Sequence, residues 1–341
     1  MKKFFLTIIA LVGAVAGYAQ ISDGVTATLQ AGKTTTVFYG YDAFKDAVAA
    51  APIDGVSTIT LSPGGFGNPG DLSKNLKVYG AGFQDDTENN VSKTNVSGDL
   101  YIKSTNDITP VVRLEGINVS NNIIMSGTQT ISGTEIVKCG FSNFYNRVET
   151  ENTIIRQSYC RGAVRGENNK STHFLAVNCY IGAWINQFGA GSDVGIDHCI
   201  LTQNSWDSFG PYFYSNNVFN TGAFYTTAGS TFFNNVGPVA KFSGSDVTSS
   251  GNYNQTNYAV VFADGQNDLN YNDADGKPRT WKLADGTTYV GTDGSPCGVT
   301  GGDYPWNPIP ATPRIIQTSV DAKSEAGKLK VTVKAEARPI E

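Results

Sequence analysis

The sequence predicts an all-β chain wound as a parallel β-helix, and three observations carry that prediction. Cys139, Cys160, Cys179 and Cys199 are spaced 21, 19 and 20 residues apart. Asn217, Asn235 and Asn252 continue the series at 18, 18 and 17 residues. Around each marker apolar residues fall at alternate positions, the period of short strands. A repeat near twenty residues built from short strands means coils stacked on one another. Composition agrees, because 38 Gly, 18 Phe, 16 Tyr and only 16% charged residues suit strands and turns rather than helices.

The first element is an export signal. Lys2 and Lys3 precede an apolar run from Phe4 to Val15, and Gly17-Tyr18-Ala19 offers small residues before Gln20. This pattern reads as a secretory signal peptide over residues 1–19, too short and wrongly flanked for a membrane anchor. No later stretch approaches the ~18 apolar residues of a membrane span, so the mature chain is expected to be secreted. Residues 41–51 read as a short helix. Asp42 is placed to cap it, Phe44, Ala47, Val48 and Ala51 share a face, and Pro52 ends it. Strands are expected at Ser57–Leu61 and Asn75–Tyr79. The helix would cover the first coil, whose core and strand edges would otherwise be wet.

The repeat itself sets a register. With each Cys at position zero, position −5 reads Thr134, Ile155, Phe174, Val194, and position −3 reads Ile136, Gln157, Ala176, Ile196. Ile117 extends the series backwards. Stacked side chains run parallel, which favours a ladder of free thiols over disulfides, although export would permit oxidation. Two stretches interrupt the coils, the polar loop 81–93 and the Asp/Asn/Gly-rich 264–296. Both offer oxygen ligands, so calcium is the one cofactor the composition suggests. Gly301-Gly302 and Pro305-Trp306-Asn307-Pro308 mark the exit from the coils. Two strands follow near 315–320 and 329–335. The expected organisation is therefore signal peptide 1–19, β-helix with N-terminal cap 20–303, and a Pro-rich segment with a terminal hairpin 304–341.

The order of the alanine-rich helix ending in Pro52, STITLSPGGF (57–66) and NLKVYGAG (75–82) resembles the opening of pectin lyase-like proteins. The coils Cys139-Gly140-Phe141 and Asn217-Val218-Phe219 are similar to the same superfamily. The whole layout resembles secreted β-helix proteins of Bacteroidetes. The resemblance implies a right-handed coil and a polysaccharide, most readily an acidic one containing uronates, as substrate or ligand. Related lyases use Arg or Lys as base, often beside calcium.

The register then nominates residues. Lys138, Tyr159, Arg161, Tyr180 and His198 should decorate the outside of neighbouring rungs. Cations beside aromatic rings suit an acidic sugar chain, with carboxylates on the cations and sugar faces on the rings. For β-elimination, Lys138, Arg161 and His198 are the candidate bases. Tyr159, Tyr180, Arg156, Trp184 and Trp206 are candidate substrate contacts, and Asp193 and Asp197 candidate metal ligands. The alternative is a non-catalytic surface or adhesion solenoid that docks a cell-surface glycan. A net charge of −5 gives no reason to expect nucleic acid. Zinc spacings, phosphate-binding glycine loops and a Gly-x-Ser-x-Gly elbow are absent from the sequence.

Overall fold

A computed structural model describes residues 24–202, 211–220, 228–311, 314–320 and 331–336, the last two ranges as backbone strands only. The expected signal peptide and Trp206 lie outside the described residues. The chain forms a parallel β-solenoid of about nine turns. Three sheets run along it, of 13, 10 and 6 strands. A typical coil contributes Glu135–Val137 to the first sheet, Gly140–Phe141 to the second and Phe144–Asn146 to the third. The coils share one apolar core, where Leu114, Ile136, Ile155, Ala176, Ile196, Tyr214 and Phe232 point inward. Among the described residues no helix is long and apolar enough to cross a membrane.

The N-terminal end is closed as the sequence suggests. The first sheet starts with strands Thr26–Ala31 and Thr34–Tyr39, antiparallel to each other, and the former pairs antiparallel with Ser57–Leu61. Helix α1, Ala43–Ala50, packs on these strands through Ala43, Phe44, Ala47 and Val48. Asp42 occupies the cap position but makes no side-chain cap bond. Ala51 is extended, as a residue before proline prefers.

The strand register corrects one coil of the sequence reading. Tyr159 pairs with Gly140 and Tyr180, while Cys160 pairs with Phe141 and Ile181. The partner of Cys139 and Cys179 in that coil is therefore Ser158, and Cys160 lies two positions further on. Likewise Ile155, not Gln157, lines up with Ile136 and Ala176. The coil from Cys139 to Ser158 is 19 residues long and that from Ser158 to Cys179 is 21, so the cysteine spacing misled. The true column is Cys139, Ser158, Cys179, Cys199, Asn217, Asn235 and Asn252. Its side chains accept backbone N–H groups from the preceding coil: Cys139 N donates to Ser158 Oγ (3.1 Å), Cys199 N to Asn217 Oδ1 (2.7 Å), Asn217 N to Asn235 Oδ1 (2.9 Å) and Asn235 N to Asn252 Oδ1 (2.8 Å). Each bend leaves a buried N–H that only a short polar side chain can reach. All five cysteines are free and buried.

One residue earlier lies a column with left-handed backbone: Lys138, Gln157, Asn178, His198, Asn216 and Asn234, with φ between 48° and 59°. This column turns the chain from the first sheet into the second. It is covered rather than exposed, because the chain does not leave the solenoid after residue 300. It runs back along the bends instead. Asn178 donates to the carbonyls of Val299 and Gly301, Gln157 to Pro305, and Lys138 to Ile309. Ala311 N donates to Glu115 Oε1. Residues 299–311 thus form a strap. Before it, residues 258–299 build a second core on the outer face of the second sheet. Tyr258, Phe262, Leu269, Tyr271, Trp281 and Val299 there cover Tyr180, Ile200, Val218 and Val236. The final strands, Arg314–Val320 and Val331–Glu336, form an antiparallel pair.

Candidate functional site

The structure brings Tyr159, Arg161 and Tyr180 together at the edge of this lid. Tyr159 and Tyr180 are register partners on the outer face of the second sheet, with ring centroids 5.3 Å apart. Arg161 begins the turn into the third sheet. Its guanidinium reaches back two coils, Nη1 donating to Asn118 Oδ1 (3.0 Å) and Nη2 to the carbonyls of Val119 (2.8 Å) and Ser120 (3.2 Å). Two cavities meet at Tyr159 and Arg161. One, of about 430 Å³, is walled by Thr202, Asn220, Asn267, Asp268 and Asn270. The other, of about 750 Å³, lies between the 81–88 loop and residues 271–278. Together they form a groove between the solenoid and its lid.

The groove is polar but nearly neutral in character. Burial holds the Tyr159, Tyr180 and Tyr271 phenols above their usual pKa, so they stay protonated. Tyr271 stacks on Tyr159 at 3.7 Å and donates to Gln84 Oε1 (2.7 Å), while Tyr180 donates to Leu269 O (2.8 Å). These bonds fix the lid against the sheet. Arg161 is half-buried, and desolvation pulls its pKa down. Its bonded acceptors are all uncharged, and no carboxylate of a described residue lies within 4.0 Å of it. Of the four acidic groups lining the cavities, Glu88 is exposed and the other three are engaged. Asp268 pairs with Arg279 (3.4 Å), Asp86 accepts from Asn89 (3.0 Å), and Asp85 accepts from Lys93 N (2.8 Å).

Within the acidic stretch 264–296, Arg279 is the cation that Asp264 and Asp268 face. Its fully buried guanidinium donates to both oxygens of Asp264 (2.6 and 2.8 Å) and to Asp268 O (2.7 Å). It sits 4.2 Å from the Trp281 ring and 5.0 Å from that of Phe262. A protein cation thus neutralises Asp264 and lies against Asp268. Asp273 is used in a turn, accepting from Asp275 N and Lys277 N. Among the described residues no three His, Cys, Asp or Glu side chains gather to hold a metal.

The remaining candidates are dispersed. Lys138 and His198, expected on the outside, are 5% and 1% exposed beneath the strap, because both belong to the left-handed column. His198 Nδ1 is 3.0 Å from Asp197 Oδ2 and Nε2 is 3.0 Å from Ser295 Oγ. This chain of groups has the order of a hydrolytic triad. Ser295 Oγ, however, also donates to Asp293 (2.8 Å) and accepts from Gly302 N (2.7 Å), and it lines neither cavity. With Asp197 and Asp293 on its two sides, His198 acts as a clasp between coil and strap. Asp197 further accepts from Ser215 (2.6 Å) and Asn216 (2.9 Å). Asp193 is exposed and 3.8 Å from His173, so the two aspartates serve separate contacts. Arg156 lies over the Tyr304 ring of the strap (4.6 Å), and Trp184 carries Arg165 (5.0 Å) on another face.

The sequence reading missed the lid's contribution, Asn267, Asp268, Asn270 and Tyr271. Their only visible signal was the loss of the repeat after Asn252 in a stretch that kept Tyr258, Phe262, Leu269, Tyr271 and Trp281. A surface loop needs no such aromatic residues, so they must cover something apolar. Known protein families, curated proteins and solved structures yield no match to the chain.

Proposed function

We propose that the groove binds a saccharide chain and seats one of its carboxylates on Arg161. The observation that carries this reading is a half-buried guanidinium with no acidic partner among the described residues, on the shared wall of two cavities. A desolvated cation facing a cavity is an anion seat, and a planar guanidinium matches a carboxylate. The Tyr159 ring lies beneath it (5.9 Å), and the amides of Asn220, Asn267 and Asn270 and the hydroxyls of Thr202 and Thr256 suit sugar hydroxyls. The reading is binding without cleavage. Lys138 and His198 lie under the strap, which takes two candidate bases away from the groove, and Arg161 stays protonated at neutral pH. An exported glycan-docking solenoid fits both the expected address and this chemistry.

The test is calorimetric titration with trigalacturonate and with an uncharged trisaccharide. Wild type should bind the uronate, and Arg161→Ala should weaken it by about tenfold or more, the loss of one charge-assisted contact. Equal affinity of the variant and wild type would refute the seat. Release of unsaturated uronate products from a long polymer would refute the non-cleaving reading.

A further inference from the structure

Resting on the anion seat at Arg161, we propose that the groove selects a chain in which one uronate is flanked by neutral sugars. Asp268 is the specificity-determining residue, turning away a second carboxylate. The charges along the groove provide for one seat. The cavity of about 430 Å³ carries two charged side chains, Arg161 and Asp268. The cavity of about 750 Å³ carries Arg161 again, with Lys93 and Lys277 against Asp85, Asp86 and Glu88. Apart from the shared Arg161, each cavity therefore has one more carboxylate than cations. A polyuronate, with a carboxylate on every sugar, would set its other charges against these acidic walls.

Arg279 does not cancel the Asp268 charge. It gives Nε and Nη2 to the two oxygens of Asp264 (2.6 and 2.8 Å), and that pair is already neutral. Its Nη1 donates to the Asp268 carbonyl (2.7 Å) and stands 3.4 Å from Oδ1. Two carboxylates thus share one guanidinium. The Asp268 side chain is 48% exposed and lines the cavity, while its Oδ1 accepts from Asn270 N (2.9 Å).

The cation and the carboxylate act on neighbouring rungs. Tyr159 pairs with Tyr180, one step of ~4.8 Å along the second sheet. Burial raises both phenols above their usual pKa. Against that background Arg161 lowers Tyr159, whereas Arg279 lowers and Asp268 raises Tyr180. One step past the paired Cys160 and Ile181 lie Arg161 and Gly182. A Cβ on Gly182 would come within 2.2 Å of Arg161 O, so the floor beside the cation stays bare. A sugar next to the seated uronate thus meets an open floor, the Thr202 hydroxyl and the Asp268 carboxylate. A neutral sugar can donate a hydroxyl to that carboxylate, whereas a second uronate brings like charges together in a partly desolvated space.

The experiment titrates the full chain calorimetrically at low salt with three forms of tetragalacturonate. One has every carboxylate free, one has a single internal carboxylate free and the others methyl-esterified, and one is fully esterified. Wild type should bind the single acid about threefold or more tighter than the free polyacid, and the full ester weakest. Asp268→Asn retains an oxygen for Asn270 N, so its circular dichroism should be unchanged. Its affinities for the single acid and the polyacid should converge to within about twofold. Wild type preferring the polyacid, or an unchanged ratio in folded Asp268→Asn, would overturn the selection and leave the Arg161 seat standing. A full ester binding as tightly as the single acid would instead overturn the seat, and the selection with it.

Discussion

Asn235→Ala should show how much the polar column contributes to the solenoid. The Asn235 side chain is fully buried and makes four hydrogen bonds. Its Oδ1 accepts from Asn217 N (2.9 Å) and Asn217 Nδ2 (3.0 Å), and its Nδ2 donates to Tyr214 O (3.1 Å) and Asn252 Oδ1 (3.0 Å). Alanine strands the Asn217 N–H outright, which costs about 1–3 kcal/mol. Asn217 Nδ2 keeps Ile196 O and Asn252 Oδ1 keeps Asn235 N, so these two lose only part of their bonding. With the Tyr214 carbonyl they add roughly 0.5–1 kcal/mol each. The total is about 2.5–6 kcal/mol, a large share of the 5–15 kcal/mol typical of a domain. Asn235→Ser is the informative contrast. Ser158 already serves this column by accepting from Cys139 N, so serine should recover the main bond and cost only about 1–2 kcal/mol. Guanidinium denaturation read by circular dichroism gives the global effect. Amide exchange gives the local one, which matters because a solenoid is stabilised coil by coil. Alanine costing less than ~1 kcal/mol, or serine no better than alanine, would refute the column's role.

The same logic extends to other positions. Cys139→Ser should be tolerated within about 1 kcal/mol, as the next coil already uses serine there, whereas Cys139→Leu should cost about 1–3 kcal/mol by overpacking a fully buried bend; thermal denaturation compares them. Burial pushes the thiols of Cys139, Cys160 and Cys297 from an ordinary 9.0 up to about 12. Their stabilisation is complete below pH 9, where the unfolded thiols are also protonated. It is lost towards pH 12, as only the unfolded chain ionises, at about 1.4 kcal/mol per pH unit for each thiol. Urea midpoints at pH 8 and 10 should therefore fall steeply, and a flat profile would contradict the burial. Arg279→Leu leaves Asp264 and Asp268 without their cation. Those carboxylates are 28% and 48% exposed, so the cost should be about 2–3 kcal/mol, below the roughly 3–5 of a fully buried pair; limited proteolysis should then cut the lid before the coils. Gly301→Ala would bring a Cβ within 1.8 Å of Pro296 O and 2.8 Å of the His198 ring, so the strap must shift, visible as faster amide exchange over residues 295–305.

The coil architecture was legible because stacking makes each rung repeat the same constraint. A bend needs a short polar or thiol side chain, and the core needs alternate apolar residues, so both leave a period of about twenty. The same reading slipped at Cys160. A cysteine fits equally well at the bend and two residues later in the core, where it stands between Phe141 and Ile181. Serine at 158 satisfies the bend but looks unremarkable in a chain rich in serine. The exposure of Lys138 and His198 was misjudged for a different reason. A repeat states where a side chain points relative to its own coil and says nothing about a distant segment that covers it. The partners of Lys138 and Gln157, Ile309 and Pro305, lie 171 and 148 residues further along the chain.

That separation bears on where binding chemistry can sit on this fold. The second sheet's outer face carries Tyr180, Ile200, Val218 and Val236, too apolar to remain wet, and the lid covers it. Covering it creates an edge, and at that edge Tyr159 and Arg161 are only half-buried. Neither the coils nor the lid alone forms the groove, since one supplies the cation and ring and the other the amide wall. The third sheet's outward column, Tyr101, Ile124, Tyr145, Arg165 and Asn186, mixes half-buried rings and a guanidinium with the buried Ile124 and Asn186. One repeat thus yields a covered face and a groove where the cover ends.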